Sequence, residues 1–464
     1  MSGPTALIMA AGEGTRMRSE LPKTLHPVLG RPMLRWPIEA ARAAGAERVV
    51  VIASPERDLS PALDDGVEVV LQTVADGTGG AIRAAREAIR ASQTVLVLSG
   101  DHPLIGPELL EALLATHREA GAAATLVTVE LDEPGSYGRV VRDPAGEVER
   151  VVEAKQPGDA TAEQLAIREV NAGTYAFEAQ PLADALERIS NENAQGEYYL
   201  GDVLPVIREA GLRIAAYRAP DVAASLGVNT QAELAAAADL ARRRVLERHM
   251  LAGVTVTDPG STWIEAEVEI APGATIEPYC FLRGRTAVGA GTTVGPMTTL
   301  LDVRLGAGVS VPHSYLAECE VLDGASIGPF AHIRPGTRLG EGAKAGAFVE
   351  LKNAQVGAGS KVPHLSYVGD AEVGEGANLG AGTITANYDG FEKHRTTIGD
   401  RVRTGVQTAL VAPVSVGDDA YTGAGSVIVD DVPAGALGIG RERQRNVEGY
   451  AERRVKRAKQ KEED

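Results

Sequence analysis

The sequence predicts an α/β domain of the Rossmann-like class, then a linking helix, and then a left-handed parallel β-helix. Three observations support this prediction. Short β-branched runs alternate with alanine-rich stretches in the first half of the 464-residue chain. A stretch without Gly or Pro follows at about residue 230. From about residue 253 onward, an apolar residue returns every six positions.

The alternation in the first half indicates a mostly parallel sheet. The strand-like runs are residues 6–10, 48–53, 67–71 and 94–98, and residues 79–90 are one of the alanine-rich stretches expected to be helical. Strands that alternate with helices favour a sheet covered by helices on both faces. We expect this domain to occupy residues 1–229.

A single long helix is expected between the two halves. Thr230 and Glu233 have the spacing of a capping box, in which each side chain bonds to the backbone of the other. The Ala-, Leu- and Arg-rich segment that follows contains no helix breaker up to about Leu251. We therefore predict a linking helix over residues 230–252.

The six-residue repeat predicts the β-helix. A period of six fits neither an α-helix nor a hairpin, but it fits a solenoid with three short strands per coil. Coils stacked about 4.8 Å apart would share backbone hydrogen bonds. We expect this domain to occupy residues 253–464. The residues expected to point inward are Ile264, Ile270, Ile276, Leu282, Val288, Val294 and Leu300, and after a slip Val303, Val309, Tyr315, Val321, Ile327, Ile333, Leu339, Ala345, Leu351, Val356, Val362, Val368, Val373, Leu379, Ile398, Thr404, Leu410, Val416, Thr422 and Ile428.

The repeat is interrupted once and then ends. Between Leu379 and Ile398 an insert that includes residues 386–394 is expected to form an external loop, and such loops often carry function. After Arg441 the repeat stops. The charge-rich residues 453–464 predict a mobile tail.

Charge and composition narrow the functional classes. Lys and Arg total 46 against 63 Asp and Glu, a formal net charge of −17, which argues against nucleic acid as a partner. The only cysteines, Cys280 and Cys319, cannot form a disulfide scaffold and indicate a reducing compartment. No apolar run is long enough to span a membrane, and no secretory signal pattern occurs. We therefore expect a cytoplasmic protein without membrane insertion.

A glycine-rich loop follows the first strand-like run. Residues 10–17 read Ala-Ala-Gly-Glu-Gly-Thr-Arg-Met, which matches neither the dinucleotide fingerprint nor the Walker A loop. A Gly-x-Gly alone fits a plain turn equally well. Arg16 and Lys23, however, add two cations within reach of the loop, where a triphosphate would need them.

These residues carry a family resemblance. Leu7, Ala10, Ala11, Gly12, Gly14, Thr15, Met17 and Pro22-Lys23 resemble the signature of sugar-1-phosphate nucleotidylyltransferases. With the β-helix and the Asn-Tyr-Asp-Gly loop at residues 387–390, the chain up to Arg441 resembles the bifunctional N-acetylglucosamine-1-phosphate uridylyltransferase/glucosamine-1-phosphate N-acetyltransferases, the GlmU family. The resemblance implies an enzyme that supplies UDP-N-acetylglucosamine for cell-wall and lipopolysaccharide precursors.

The resemblance implies a uridylyltransferase site in the first domain. Asp101 and Asn229 would hold Mg²⁺, which binds few protein oxygens together with phosphates and water. The sugar phosphate would attack the α-phosphorus of UTP in line. Ser99, where family members often have Tyr, is a departure beside this site. UTP would be bound by Ala10, Ala11, Gly12, Arg16, Lys23, Gln72, Gly77 and Thr78, and the acetylated sugar phosphate by Gly138, Glu153, Asn171 and Tyr199.

The resemblance also implies an acetyltransferase site in the solenoid. His364 would be the general base that deprotonates the amine of glucosamine 1-phosphate. Asn387 and Tyr388 would orient the amine or stabilise the oxyanion. Val406 stands where relatives usually have Ser, whose hydroxyl would contact the acetyl group or the histidine. The sugar phosphate would be bound by Arg334, Lys352, Tyr367, Asn378 and Lys393, and acetyl-CoA by Ala381, Asn387, Tyr388, Val406, Ala424 and Arg441.

A homotrimer is expected from the same resemblance. The main alternative function is a monofunctional sugar-1-phosphate nucleotidylyltransferase whose β-helix is only structural. A non-enzymatic scaffold is disfavoured by the intact glycine loop with Asp101. A β-helical metal hydratase is disfavoured because His313, His332 and His364 are widely spaced.

Overall fold

A computed structural model describes residues 3–154, 158–193, 195–223 and 227–463 of the chain. The chain divides into two compact units. The first comprises Met1–Glu247 and Glu265–Glu267, and the second Arg248–Ile264 and Val268–Asp464.

The first unit is built on a nine-stranded sheet. Its strands, with a small separate hairpin formed by β2 and β3, are β1 (Thr5–Met9), β2 (Pro27–Val28), β3 (Arg31–Pro32), β4 (Arg48–Ala53), β5 (Val67–Leu71), β6 (Thr94–Ser99), β7 (Ala124–Glu130), β8 (Arg139–Arg142), β9 (Val148–Val152), β10 (Glu169–Glu178) and β11 (Ile214–Arg218). The order along the main sheet is β11-β7-β10-β6-β1-β4-β5, and β8 and β9 extend it beside β10. Only β10 runs antiparallel to its neighbours in the main sheet, β6 and β7.

Helices cover both faces of this sheet. On one face they are α1 (Arg35–Ala43) and α4 (Pro107–Ala120), and on the other α2 (Thr78–Ala84), α3 (Arg86–Arg90), α6 (Ala179–Leu186) and α7 (Val203–Glu209). Two further helices are α5 (Ala162–Leu165) and α8 (Gln231–Leu251). Consecutive residues of β1 go to opposite faces: Leu7 packs in one apolar cluster and Ile8 in another. Burial on both faces explains why the central strands read as continuous apolar runs.

The strand predictions agree with the structure to within one residue at each end. The predicted runs 48–53 and 67–71 are β4 and β5, and 6–10 and 94–98 correspond to β1 and β6. The helical stretch 79–90 is instead two helices, because Ala85 leaves the helical conformation (φ −89°, ψ 19°) between α2 and α3. The Rossmann-like α/β class is confirmed, with β10 making the sheet mixed.

The second unit is a stack of short parallel strands, as predicted for a left-handed β-helix. Strands in successive coils pair in register, so that Leu282, Leu300, Leu316, Ile333 and Leu351 form one continuous inward column. The strands are β12 (Thr255–Val256), β13 (Trp263–Ile264), β14 (Glu269–Ile270), β15 (Thr275–Ile276), β16 (Phe281–Arg283), β17 (Ala287–Val288), β18 (Thr293–Val294), β19 (Thr299–Leu301), β20 (Arg304–Leu305), β21 (Ser310–Val311), β22 (Tyr315–Ala317), β23 (Glu320–Val321), β24 (Ser326–Ile327), β25 (His332–Ile333), β26 (Arg338–Leu339), β27 (Lys344–Ala347), β28 (Glu350–Val356), β29 (Lys361–His364), β30 (Tyr367–Val373), β31 (Ile384–Ala386), β32 (Thr396–Ile398), β33 (Ala409–Val411), β34 (Val414–Val416), β35 (Tyr421–Thr422), β36 (Val427–Ile428) and β37 (Leu437–Gly438).

All but one of the residues predicted to point inward are buried. The exception is Tyr315, which is 45% exposed, while its neighbour Leu316 is fully buried. Two residues spaced two apart point inward from each strand, so that Val303 and Leu305 are both buried. The chain takes five-residue steps from Leu300 to Leu305 and from Val311 to Leu316, and the strict period of six missed the second step, so that it placed Tyr315 instead of Leu316 inward.

Two segments outside the repeat have structure of their own. The insert closes as a short antiparallel turn in which Tyr388 pairs with Lys393. The charge-rich segment predicted to be a mobile tail, residues 453–464, forms most of α9 (Tyr450–Glu463), a helix that the sequence did not predict. Among the described residues, no helix combines the length and apolar character needed to cross a membrane.

Candidate active sites

A cavity of about 590 Å³ opens at the carboxyl ends of β1 and β6 in the first unit. Strand ends of this kind are where open α/β sheets bind ligands. Ser99 also lines the cavity. All ten residues predicted for nucleotide and metal line it, namely Ala10, Ala11, Gly12, Arg16, Lys23, Gln72, Gly77, Thr78, Asp101 and Asn229. The structure therefore brings this whole predicted set together.

The glycine loop wraps closely around Lys23. Gly14 adopts a left-handed conformation (φ 64°), and a Cβ atom there would lie 2.6 Å from Cβ of Lys23. Only glycine permits this approach without displacement. At Gly12, by contrast, a Cβ atom would meet nothing within 4 Å, so this residue keeps the cavity open.

The opposite wall of the cavity is held by Gln72. Its side-chain amide Nε2 donates to Asp76 Oδ1 at 3.0 Å and to the carbonyl of Gly77 at 3.2 Å. Thr78 Oγ1 accepts the backbone N–H of Leu200 at 3.0 Å. Because the amide nitrogen of Gln72 is bonded within the protein, its orientation is fixed before any base binds.

The two predicted metal ligands converge on one cation. The Lys23 ammonium donates to the carboxylate of Asp101 and to Asn229 Oδ1, the latter at 3.0 Å. A backbone hydrogen bond of 2.9 Å from Val228 to the Asp101 carbonyl holds the two segments together. Burial acts to raise the pKa of Asp101, but the charges of His102 and Lys23 outweigh it and lower this pKa.

The predicted capping box is confirmed. Thr230 N donates to Glu233 Oε2 at 3.1 Å, and Glu233 N donates to Thr230 Oγ1 at 3.2 Å. The same carboxylate oxygen accepts the backbone N–H of Asn229 at 2.6 Å. The start of α8 therefore fixes the position of Asn229. The capping motif in the sequence could have suggested this connection between the helix and the predicted metal ligand.

The residues predicted for the acetylated sugar form a second cluster outside the lining of this cavity. Asn171 N donates to the carbonyl of Gly138 at 2.9 Å, and Asn171 Oδ1 accepts from Gly173 N at 3.0 Å. Gly138 lies beside Glu153, since a Cβ atom there would be 3.8 Å from Glu153 Oε1. A bulge in β10 after Asn171 interrupts the ladder here, as bulges beside binding sites often do.

Tyr199 lies close to the same cluster. Its hydroxyl donates to Gln195 Oε1. Burial raises the pKa of Tyr199 to about 12, and the charges of Glu197 and Glu153 add to this effect. The tyrosine is therefore a neutral donor at physiological pH.

In the second unit, four predicted residues occupy the same corner position of successive coils. The first three accept a hydrogen bond from the residue after the next member: the His364 carbonyl from Gly382 N at 3.2 Å, that of Ala381 from Gln407 N at 2.7 Å, and that of Val406 from Gly425 N at 2.8 Å. We call this row of His364, Ala381, Val406 and Ala424 the acetyl edge. Its small and exposed residues leave one side of the corner open to a ligand.

Two other predicted residues lie beside the acetyl edge. Arg441 approaches its far end, where a Cβ atom on Gly425 would lie 3.8 Å from Cδ of the arginine. Asn378 pairs with Lys361 on the flat face that leads to this corner. Asn378 precedes Ala381 by three residues, as Lys361 precedes His364.

The predicted phosphate-binding cations lie on the neighbouring face. Arg334 forms an ion pair with Glu350 at 2.8 Å, and Lys352 lies 3.4 Å from Asp370 Oδ2. The Lys352 ammonium is also a neighbour of Lys393 and lowers the pKa of Lys393. This face therefore concentrates positive charge within an acidic protein.

Tyr367 and Tyr388 complete the predicted set. Tyr367 is opposite Glu350 in the parallel ladder, and its ring lies over Gly369, where a Cβ atom would collide with the hydroxyl. Tyr388 is exposed in the insert and donates to the carbonyl of Gly390 at 2.7 Å. The position of Tyr367 is set by the stacking of the coils, and that of Tyr388 by the insert.

Comparison with known proteins finds a family model within the first unit and relatives that span both units. Residues 6–172 match the family model described as a MobA-like NTP transferase domain. The chain is 52% identical over 450 residues to the bifunctional protein GlmU of Kineococcus radiotolerans, covering 96% of this chain and 91% of that protein. It is 45% identical over 461 residues to the bifunctional protein GlmU of Brevibacillus brevis, covering 99% of each. The chain belongs to the GlmU family.

Some residues around the two candidate sites were not predicted from the sequence. Glu13 and Glu197 line the cavity of the first unit, and Asp370 contacts Lys352, one of the predicted phosphate-binding cations. Glu13 lies inside the glycine loop and could have been found there. Asp370 belongs to an ordinary Gly-Asp pair at a coil corner, so no local pattern distinguishes it.

Proposed function

We propose that this GlmU-family chain makes UDP-N-acetylglucosamine in two steps. Acetyl-CoA first acetylates glucosamine 1-phosphate, and UTP then transfers its uridylyl group to the N-acetylglucosamine 1-phosphate formed, with release of pyrophosphate. The observation that carries the proposal is the single cavity lined by all ten predicted nucleotide and metal residues. We assign the second step to residues 1–229, the linking helix to residues 230–252 and the first step to residues 253–464.

In the uridylyl transfer, the sugar phosphate is already an anionic nucleophile near neutral pH. The residues of the cavity therefore need to position the two phosphates and balance their charge. Arg16 is exposed at the cavity, and Lys23 is beside the glycine loop. These two cations would draw negative charge toward the pyrophosphate as the bond to the α-phosphorus breaks.

Asp101 and Asn229 are the residues that would hold Mg²⁺. Their oxygens already converge on one positive group, the Lys23 ammonium, and both are hard donors of the kind Mg²⁺ prefers. Among the described residues no cluster of three or more His, Cys, Asp or Glu could hold a metal. Two protein oxygens suit an ion that keeps water and phosphate ligands. When bound, Mg²⁺ would supply positive charge to the triphosphate.

In the acetyl transfer, His364 would accept a proton from the amine as its nitrogen attacks the thioester carbonyl. The carbon–sulfur bond then breaks and coenzyme A leaves as the thiol. Arg334, Lys352 and Lys393 would bind the sugar phosphate, and the acetyl edge would bind the pantetheine arm. Val406, which is 51% exposed on this edge, places a methyl-bearing side chain next to the acyl group.

We further propose that the second unit forms a homotrimer. Tyr279, Met297, His313, Phe330, Phe348 and Leu365 occupy one corner of six successive coils, and all of them but His313 are apolar and between 56% and 63% exposed. The rings of Phe330 and Phe348 stack at 5.3 Å. An exposed row of this kind, apolar except at His313, favours burial against another copy. Leu365 follows His364 directly, which would place the acetyl edge at the contact.

Sedimentation tests the assembly. We expect the wild-type protein to sediment as a trimer and a Phe330→Glu/Phe348→Glu double variant as a monomer. A wild-type monomer would overturn the trimer.

The two cysteines are buried free thiols, in keeping with the cytoplasm as the compartment we propose.

A substrate panel tests the function. The purified protein should release pyrophosphate from UTP with N-acetylglucosamine 1-phosphate and free thiol from acetyl-CoA with glucosamine 1-phosphate. Other nucleoside triphosphates and glucose 1-phosphate serve as comparison substrates. Uridylyl transfer to glucose 1-phosphate without any acetyl transfer would favour the monofunctional alternative with a structural β-helix.

A further inference from the structure

Three polar side chains from successive coils form a connected row at one corner of the solenoid. Asn353 Nδ2 donates to Asp370 Oδ1 at 2.8 Å, and Asn387 Nδ2 donates to Asp370 Oδ2. Asp370 is at the centre and is only 8% exposed. We call these three residues the corner row.

The corner row is connected to the cations of the neighbouring face. Asp370 Oδ2, the oxygen that accepts from Asn387, also lies 3.4 Å from the Lys352 ammonium. Arg334 already has Glu350 as a partner. Asp370 is therefore the carboxylate that balances the adjacent Lys352 and Lys393 ammonium groups.

The Asp370 carboxylate also decides which way the Asn387 amide faces. An ionised carboxylate can only accept hydrogen bonds, so the amide nitrogen of Asn387 must point toward it. Burial acts to raise the pKa of Asp370, but hydrogen bonds from Asn353 and Asn387 and the contact with Lys352 lower it overall. The carboxylate therefore stays ionised, and the Asn387 oxygen is left as the acceptor for a ligand.

We propose that Asp370 is a positioning residue of the acetyltransferase site, which fixes the Lys352 ammonium for the sugar phosphate and the Asn387 oxygen for the substrate amine. This inference rests on the proposed function of the second unit.

A purely conformational role for Asp370 makes a different prediction. Its backbone is left-handed (φ 48°), a conformation that Asp and Asn tolerate better than most residues. Asp302 is also left-handed (φ 53°) at a coil corner, and its Oδ1 accepts the backbone N–H of Arg285 at 2.8 Å. An Asp→Asn change at either position keeps the shape and the backbone preference. Only at Asp370 would it remove a charge that holds substrate-binding groups.

The test compares Asp370→Asn with Asp302→Asn in the full-length protein. We expect Asp370→Asn to lower kcat/KM for glucosamine 1-phosphate about 10- to 100-fold through misplacement of its ligands. The uridylyltransferase activity should change less than about twofold, because no group of the first unit is moved. Asp302→Asn should leave both activities intact.

A double-mutant cycle supplies the measurement that a merely structural residue would not affect. Lys352→Met should raise the KM for glucosamine 1-phosphate strongly in the wild type and much less in the Asp370→Asn background. Additive effects of the two changes, or an unchanged kcat/KM in Asp370→Asn, would overturn the inference. If the wild type itself transfers no acetyl group, the proposed function fails, and the role of Asp370 fails with it.

If Asp370→Asn fails to fold, Asn353→Gly provides a second test of the role of Asp370. Glycine suits the left-handed backbone of Asn353 (φ 47°), so this variant should fold. It removes one of the two side-chain amide donors to Asp370. We expect an increase of a few-fold in the KM for glucosamine 1-phosphate, in the same direction as for Asp370→Asn, and an unchanged value would count against the inference.

Discussion

The ammonium nitrogen of Lys23 lies 3.0 Å from the amide oxygen of Asn229, although 206 positions separate the two residues in sequence. This contact joins the glycine loop after β1 to the segment that begins α8. Because Asp101 also accepts from Lys23, the first turn of the domain and its last segment meet at the end of β6. The nucleotide site therefore depends on the closure of the whole first unit.

Replacing Lys23 with Met should lower kcat/KM of uridylyl transfer about 10²- to 10³-fold, the usual loss when a donor to developing negative charge is removed. The acetyltransferase activity of the same protein is the internal control and should not change. Pyrophosphate release and free-thiol assays on one preparation measure both. Retention of full uridylyltransferase activity would contradict a role for Lys23 at the phosphates.

Two glycines of the nucleotide cavity should respond differently to Ala. At Gly12 a Cβ atom meets nothing within 4 Å, so Gly12→Ala should keep the free energy of unfolding within about 0.5 kcal/mol and raise the KM for UTP. At Gly77 the backbone is left-handed (φ 97°) and a Cβ atom would lie 2.6 Å from the Tyr198 carbonyl. Gly77→Ala should therefore destabilise the first unit, by more than about 1 kcal/mol.

Denaturant unfolding and UTP kinetics on both variants separate these effects. A strongly destabilised Gly12→Ala protein, or a fully stable Gly77→Ala protein, would contradict the packing described around these two glycines.

The capping box should link stability to metal binding. Thr230→Ala and Glu233→Ala each remove one half of the box and should cost about 1 kcal/mol of stability. Only Glu233→Ala also frees the backbone of Asn229. It should therefore raise the Mg²⁺ concentration for half-maximal uridylyl transfer more than Thr230→Ala does. Equal Mg²⁺ dependence in the two variants would show that the Glu233 contact does not influence Asn229 as a metal ligand.

His364→Ala should abolish acetyl transfer, because no other group on the acetyl edge can take the proton of the attacking amine. Uridylyl transfer should be unchanged. His332→Ala is the matched control, since His332 is also exposed on the solenoid but packs against Tyr315. Equal loss of both activities in His364→Ala would argue against separate sites.

The five-residue step from Val311 to Leu316 in the solenoid can be tested by protein stability. Leu316→Ala removes a fully buried side chain from the inward column and should cost about 2–5 kcal/mol. Tyr315→Ala changes its exposed neighbour and should cost less than about 1 kcal/mol. Thermal unfolding of the two variants measures this difference, and the reverse order would restore the register with Tyr315 inward.

The sequence predicted the architecture well because periodicity follows directly from geometry. A period of six can be read without structure, and the β-branched runs of the first half identified β4 and β5 to the residue. The step from Val311 to Leu316 was missed because the strict period of six from Val309 falls on Tyr315, which is also a large side chain. The helix at residues 450–463 was missed because its composition is that of a charged tail.

The candidate sites were predictable to the extent that they follow local motifs. The glycine loop marks Arg16 and Lys23, and the strand end marks Asp101. Asp370 contacts residues 17 and 18 positions away in sequence, in adjacent coils. Only the stacking of coils shows which side chains meet there, and no spacing rule along the sequence specifies that contact.

The acetyl edge also limits how this enzyme can change in length. Each coil adds one fixed rise of about 4.8 Å along the solenoid axis. A whole coil inserted before residue 364 would lengthen the molecule and leave the spacing from His364 to Ala381 untouched. A coil inserted between them would move the proton acceptor away from the thioester by one full rise. Under the proposed function, distances along the acetyl edge therefore change only by whole coils, and intermediate distances are inaccessible to this architecture.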